Sequence, residues 1–274
     1  MSTPELVPFI KWVGGKRNVI KKYLFKFLPK EFNNYYEPFL GGGAMLFYLR
    51  PKNAFVNDIN KELIISYNQI KENSLLVMKK LDKYKSLHSK DFFYKLRENY
   101  KLNPIDIAAR FIYLNKTCFN GLYRVNSKNK FNVPFNGINK EKLNLYNYKN
   151  LKNISEYFNS NNIVFYNNDY LDFLKLPKKG DFIFVDSPYD YENIQGFDNY
   201  NNNRFGKENQ IKLANKLKYL NSIGVKFMAT NHDTKLINEL YKDFSIIQIK
   251  TNRFINSNAS KRKLSGDEVI ILNY

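Results

Sequence analysis

Short apolar runs alternate with longer stretches of helical periodicity along most of the 274-residue chain, which restricts it to an α/β architecture built on a mainly parallel sheet. The runs at 35–39, 54–57, 163–167, 182–186, 226–230, 245–250 and 268–273 predict seven strands. Helical periodicity covers 16–28, 44–50, 61–71, 207–222 and 234–242. One block interrupts the alternation. Between the second and third expected strands lie charge-rich helical stretches at 75–85, 90–100 and 105–116, then a polar, Asn-rich region at 121–135 with the character of a hairpin. The chain therefore divides into a core of residues 1–73 and 161–274, and an inserted helical and hairpin domain of residues 74–160. Its length suits one domain carrying such an insertion, and 43% hydrophobic residues place it well above disordered compositions.

The formal charge of +19, from 44 basic and 25 acidic residues, favours a polyanionic partner. Nucleic acid is the first candidate and an anionic membrane surface the competitor. No run of about 18 apolar residues and no signal-like N-terminus is present, so a soluble, cytoplasmic protein with no membrane partner is expected. With one cysteine, Cys118, and two histidines, His88 and His232, the chain has no internal disulfide, and no metal site is expected. The asparagine cluster around 199–203 reads as solvated loop.

Two motifs carry chemistry. In YYEPFLGGGAMLFYL a strand leads through Gly41-Gly42-Gly43 into a helix. Glycines at such a turn let the backbone approach a ligand closely and adopt positive φ. Asp58 ends the next strand, where a carboxylate can accept from ribose hydroxyls. The spacing differs from the dinucleotide pattern. The acidic Glu37 and Asp58 beside the turn would repel phosphates, so a nucleoside without a pyrophosphate is the expected ligand. The second motif, DFIFVDSPY, ends a buried strand in Asp186-Ser187-Pro188-Tyr189, which should face the same crevice at the carboxyl ends of the strands. Its chemistry suits N-methylation of an aromatic amine, whose lone pair is delocalised and a poor nucleophile. The Asp186 carboxylate and the Ser187 carbonyl can hold both amino hydrogens and aim the lone pair, through positioning and stabilisation of developing positive charge. Tyr189 offers a face for stacking and Pro188 restrains the loop. Read without a partner motif, the tetrad equally describes a capping Asp and a Ser-Pro turn.

These stretches resemble the DNA adenine methyltransferase (Dam) family, the α-ordered class of amino-methyltransferases. The resemblance runs through PFIKWVGGK, EPFLGGGA with NDIN, NKTCFNGLYRVNSKNKFNVPF, VDSPY and the C-terminal FINSNASKR…DEVIILNY, nearly the whole chain. It implies a Rossmann-like methyltransferase sheet of seven mainly parallel strands with helices on both faces and an inserted DNA-recognition domain. The implied reaction moves a methyl group from S-adenosylmethionine to N6 of adenine in double-stranded DNA, by base flipping and direct in-line transfer, at GATC or a GAT-containing site. Trp12, Gly14, Phe39, Gly41, Gly43, Asp58 and Asp169 would contact the methyl donor, with Glu37 close by. Lys16, grouped with them, would line the adenine pocket beside Asp186, Pro188 and Tyr189. Lys11 and Arg124 would contact guanines, Phe119 and Asn120 would fill the vacated stack, and Leu122 and Pro134 would touch neighbouring bases, with Asn126 in the same DNA-contacting set. Where the family usually has DPPY, this chain has Ser187; the carbonyl role survives, and one backbone restraint is lost. A monomer acting on nucleoid DNA, with a cognate restriction endonuclease as companion, is expected.

The insert independently suits this reading. Arg124 can pair bidentately with a guanine edge, and Lys128 and Lys130 suit phosphates, which position without specifying. Two alternatives stand beside it: an amino-methyltransferase acting on RNA or a protein amide, which would not need the FNGLYRVN hairpin, and a catalytically silent DNA-binding subunit. Cys118 reads as core and not as a cytosine-C5 nucleophile, His232 as a capping or surface residue, and the aromatics of 23–32 as the buried face of a helix.

Overall fold

The structure is a computed structural model that describes residues 5–191, 205–252 and 265–274. In chain order the elements are α1 (Arg17–Lys22), β1 (Tyr35–Glu37), α2 (Ala44–Leu49), β2 (Asn53–Asn57), α3 (Lys61–Ser86), α4 (Lys90–Arg97), α5 (Pro104–Thr117), α6 (Tyr148–Ser160), β3 (Asn162–Tyr166), α7 (Tyr170–Phe173), β4 (Phe182–Val185), α8 (Lys207–Ser222), β5 (Lys226–His232), α9 (Lys235–Leu240), β6 (Ser245–Asn252) and β7 (Ser265–Leu272). The strands form a seven-stranded sheet in the order β3-β2-β1-β4-β5-β7-β6. The β2–β3, β1–β4 and β4–β5 pairs are parallel, and β7 runs antiparallel to both β5 and β6. The sheet is mostly parallel and flanked by helices, as the alternation of runs predicts. The asparagine cluster at 199–203 and the FINSNASKR segment lie outside the described residues.

The chain forms two compact units. One comprises the residues up to Arg17 with Leu40–Asn168, the other Asn18–Phe39 with Asp169 onward. In the first unit, Tyr67 of α3 is fully buried and meets Phe9 edge-on (5.0 Å) and Phe165 of β3 in a stacked pair (5.3 Å). Such aromatic pairs add about 0.5–1.5 kcal/mol beyond burial of their area. The α3 helix also packs along α5, where Arg110 is 1% exposed. Its guanidinium donates to both Glu62 carboxyl oxygens (2.9 and 3.0 Å) and to the Leu96 and Arg97 carbonyls, and it lies 4.4 Å from the centre of the Tyr100 ring. A buried charge so fully paired fixes the register of α3, α4 and α5, and removing one partner of such a pair costs about 3–5 kcal/mol.

Several elements depart from the periodicity reading. The helices expected at 61–71 and 75–85 are one helix, kinked at Asn73 (φ −135°), whose side chain donates to Gln69 instead of turning outward. The expected helix at 16–28 breaks after Lys22 into a 3-10 turn over Leu24–Phe27. Its three-residue repeat buries Leu24 but leaves Phe25 44% exposed, so the aromatics of 23–32 are not a continuous core face. Helix α6 lies in a polar stretch, but Asn147 caps it and Leu151, Ile154 and Phe158 share its buried side. The hairpin at 121–135 is present as two isolated antiparallel bridges, Cys118 with Phe135 and Val125 with Phe131.

Candidate active site and DNA-reading surface

In the first unit the glycine turn follows β1 and opens α2. Gly41 (φ +48°) and Gly43 (φ +67°) adopt left-handed backbone that favours glycine. The space above Gly41 is taken by Trp12: a Cβ there would sit 2.5 Å from the indole Nε1. At Gly43 a Cβ would meet the Tyr67 hydroxyl at 2.8 Å. The turn is therefore built for close packing as well as for ligand approach. Asp58, after β2, accepts from the Gly41 N–H with Oδ2 and from the Asn60 N–H with Oδ1, both at 2.9 Å. Burial pushes its carboxyl up from the ordinary range, and these two backbone donors pull the other way. Each oxygen accepts from one of these N–H groups and keeps further acceptor capacity, which suits ribose hydroxyls. An indole lying along a glycine turn beside that carboxyl fits a nucleoside bearing positive charge, with no phosphate to repel. Gly14 has φ +77°, and the buried Lys16 ammonium donates back to its carbonyl (3.2 Å).

In the second unit the carboxyl ends of β1 and β4 lie side by side, with Tyr36 in register with Ile183. Strand order reverses between them, the place where open α/β sheets bind ligands. Glu37 ends β1, buried, and accepts from the Tyr35 hydroxyl at 2.8 Å. Phe39 packs against Tyr170 and Phe205. Asp169 is exposed and caps α7, accepting from the Leu171 N–H.

Four buried residues of β4 deliver Asp186 to the end of the strand, where the Thr230 hydroxyl donates to its Oδ1 at 2.8 Å. Ser187 is buried, and the Pro188 carbonyl accepts from the Gln210 amide at 2.8 Å. Gln210 in turn accepts from Asn231, whose oxygen also takes the Asp190 N–H, while Asp190 accepts from Thr234 at 2.6 Å. These bonds from α8, β5 and the start of α9 restrain the loop that carries Ser187. Tyr189 donates to Glu268 of β7 (3.1 Å), and its phenol is pushed well above the ordinary range, by burial first and then by the Asp186 and Glu268 carboxylates. It remains a neutral ring. His232, expected at the surface or as a cap, is instead buried at the end of β5. Its Nδ1 lies 2.7 Å from the Asp190 carbonyl, and Tyr189 and Tyr191 pack against its ring at 4.7 and 4.6 Å. Thr230, Asn231 and Gln210 escape motif reading, and Glu268 is visible only as a member of the DEVIILNY stretch. For β5 the trace in the sequence is the polar run Thr-Asn-His that closes the strand.

The hairpin belongs to the first unit. Asn115 anchors its root: its side chain accepts from the Lys11 N–H and donates to the Lys11 and Gly121 carbonyls. The Lys11 stem fills the space above Gly121, where a Cβ would fall 2.5 Å away. Lys11 is thus brought beside Phe119 (50% exposed), Asn120 (φ +53°) and the half-buried Leu122. Phe119 N–H bonds the carbonyl of the exposed Pro134. Arg124 is exposed; its Nε donates to Asn132, and no acidic partner lies beside it among the described residues. Asn126 shapes the tip by accepting the Lys128 and Lys130 N–H groups; both lysines are exposed, and the Lys130 ammonium lies 5.3 Å from the centre of the Tyr100 ring. Lys116, inside the NKTCFNG stretch but given no role there, has its ammonium pushed down to about 8, by burial first and then by Lys11. Cys118 is buried and its thiol is pushed up to about 11, chiefly by burial, so it is core.

A glycine turn holding a carboxylate, and a DSPY corner at the strand-order reversal, define a Rossmann-like methyltransferase. The profile of the D12 class N6 adenine-specific DNA methyltransferases matches residues 12–255. The chain is 37% identical to the type II methyltransferase M1.LlaDCHI of Lactococcus lactis subsp. cremoris, over 98% of this chain and 96% of that one. It is 35% identical to the type II methyltransferase M.MjaIII of Methanocaldococcus jannaschii, over 98% and 100%, and 29% identical to the DNA adenine methylase of Escherichia coli K12, over 96% and 94%. The chain belongs to the D12 class of N6 adenine-specific DNA methyltransferases. It is an enzyme acting on adenine in DNA, which removes RNA, protein-amide and silent-subunit readings. No helix among the described residues is long and apolar enough to cross a membrane.

Proposed function

We propose that the enzyme takes its methyl group from S-adenosylmethionine and transfers it to adenine extruded from duplex DNA, at GATC or another GAT-containing site. The observation that carries this reading is the anchored Asp186: a carboxylate at the end of a buried strand, oriented by Thr230 and followed by a neutral aromatic ring. S-adenosylmethionine, when bound, supplies an electrophilic sulfonium methyl group. Trp12, the turn of Gly41 and Gly43, and the Asp58 and Glu37 carboxyls would hold it, with Gly14, Phe39 and Asp169 completing the set and Lys16 facing the adenine. Asp186 and the Ser187 carbonyl accept the two amino hydrogens, drawing the nitrogen toward tetrahedral geometry, and Asp186 stabilises the positive charge that develops there. Tyr189 stacks on the base and Pro188 keeps the corner in shape.

Extrusion costs a few kcal/mol. Phe119 and Asn120 offset it by filling the gap, and residues 74–160 supply the reading surface. Lys11 and Arg124 bind guanines, Leu122 and Pro134 meet the bases beside them, and Asn126 and Lys128 hold the hairpin tip at the phosphates. M1.LlaDCHI and M.MjaIII are both named as type II methyltransferases, which favours a companion endonuclease cutting the same site; the enzyme works as a monomer on cytoplasmic, nucleoid DNA. Expression in a methylation-free host, followed by sequencing of native DNA, tests the reading directly. N6-methyladenine within a GAT-containing motif is expected, and modification confined to motifs lacking GAT would refute the specificity.

A further inference from the structure

Tyr123 has no part in the roles assigned above, yet it sits between Leu122 and Arg124 in the hairpin. Successive side chains of an extended segment point to opposite sides, so Arg124 faces outward while Tyr123 turns in. Its ring packs against Phe111 (5.5 Å) and Phe131 (5.7 Å) and stacks on Trp12, with centroids 6.0 Å apart and planes 22° from parallel. Trp12 is the indole that lies on the glycine turn, 2.5 Å from a Cβ at Gly41 and 3.1 Å from one at Gly42. A second thread runs through Asn60, which Asp58 holds by its N–H and which caps α3. The Asn60 amide nitrogen is buried, and a hydrogen bond from the Asn60 side chain works against the rise to about 12 that burial, then the Glu62 carboxylate, give the Tyr123 phenol.

We propose that Tyr123 is a positioning residue that couples the glycine turn to the Arg124 hairpin, so that donor and DNA each tighten the binding of the other. The coupling rests on the reading of these two places as donor site and DNA reader. Displacing the backbone at Arg124 moves Tyr123, which is wedged against Trp12, and Trp12 has no free space above Gly41 into which to retreat. A close-packed contact of this kind transmits a shift where a loose one absorbs it. Linkage makes the effect reciprocal.

Trp12 is the chain's one tryptophan, so tryptophan emission reports its surroundings, the Tyr123 stack on one side and the glycine turn on the other. S-adenosylhomocysteine is titrated into the full chain, with and without a duplex carrying the sequence that the enzyme methylates, and followed by calorimetry and by Trp12 emission. The wild type is expected to bind the analogue roughly 5- to 150-fold more tightly with duplex present, and duplex alone should change Trp12 emission. Tyr123→Leu should bring that ratio within about twofold while changing affinity without duplex little, and Tyr123→Phe, which keeps the ring, should hold the ratio within about threefold of wild type. A wild-type ratio in Tyr123→Leu, a loss in Tyr123→Phe as large as in Tyr123→Leu, or duplex-insensitive Trp12 emission would each overturn the assignment, and the last needs no variant. Should the analogue bind Asp58→Ala as tightly as wild type and leave Trp12 emission unchanged, the donor-site reading itself fails. Intact donor binding without coupling in the wild type sinks the coupling alone.

Discussion

The DSPY corner and the Arg124 hairpin differ in what holds them. Around the corner, Thr230, Gln210, Asn231, Thr234 and Glu268 arrive from four other elements, and each bonds a group of residues 186–190. The hairpin is shaped at its tip by its own residues, Arg124 with Asn132 and Asn126 with the Lys128 and Lys130 N–H groups, and is held at its base by Asn115, Phe111, Trp12 and Tyr100. Its functional side chains stand exposed. Chemistry on a poor nucleophile depends on a carboxylate fixed before substrate arrives, because reorganisation during reaction would forfeit the stabilisation. A reading surface has the opposite need, since exposed cations must reach base edges and phosphates in a groove. The corner is accordingly fixed group by group through long-range contacts, and the hairpin is anchored at its base and locally shaped at its tip.

This contrast can be broken by exchanging the kinds of effect. Asp186→Ala should lower turnover by at least about 10³-fold, the upper end of losses seen on removing one stabilising group. Calorimetric donor affinity and the ranking of DNA sequences should stay as in wild type. Retained turnover would take Asp186 out of the chemistry, and an altered sequence ranking would blur the division of labour. Arg124→Ala should do the reverse. Discrimination at one base pair is expected to relax by about 1–3 kcal/mol, measured as the ratio of kcat/KM on duplexes substituted at that pair. Equal losses on every duplex would make Arg124 a phosphate contact and the hairpin a positioning device only.

The same contrast explains what could be read from residue order. Strands and their order of appearance are legible because buried parallel strands are short apolar runs, and α8 is legible to the residue because its apolar spacing is unbroken over Lys207–Ser222. Asp186 and Arg124 are visible as motifs. The groups that hold Asp186 and Tyr189 are not, because Thr230 and Glu268 reach the corner only through the pairing of β4 with β5 and of β5 with β7, which no local pattern encodes. His232 is misplaced for the same reason: a lone polar residue at a strand end looks solvated until Tyr189 and Tyr191 close over it. Helix α6 carries its apolar triad in a background of Lys and Asn that dilutes the period. Asn73 marks a kink and not an end, since α3 draws its stability from α5 and α6 and not from its own propensity.

A further expected effect lies on the hairpin side and depends on pH. Lys116 closes α5 just before the reading turn, and burial together with Lys11 holds its ammonium down to about 8, against 10.5 for an unperturbed lysine. Between those two values the unfolded chain binds the extra proton and the folded chain does not, so this group makes folding more favourable as pH rises through that window. DNA binding reverses the preference. A phosphate near Lys116 favours the charged form and raises its pKa, so above pH 8 the complex takes up a proton that the free enzyme lacks. Affinity for duplex should therefore fall as pH rises from 8 to 9.5, by up to about tenfold per pH unit. Lys116→Arg stays protonated throughout because its guanidinium titrates above about 12, and should flatten that slope while leaving affinity at pH 7 within about threefold. Fluorescence anisotropy of a labelled duplex across this range decides it: parallel slopes in the two proteins would place Lys116 outside the DNA-binding surface and leave its depressed pKa a consequence of packing beneath Lys11.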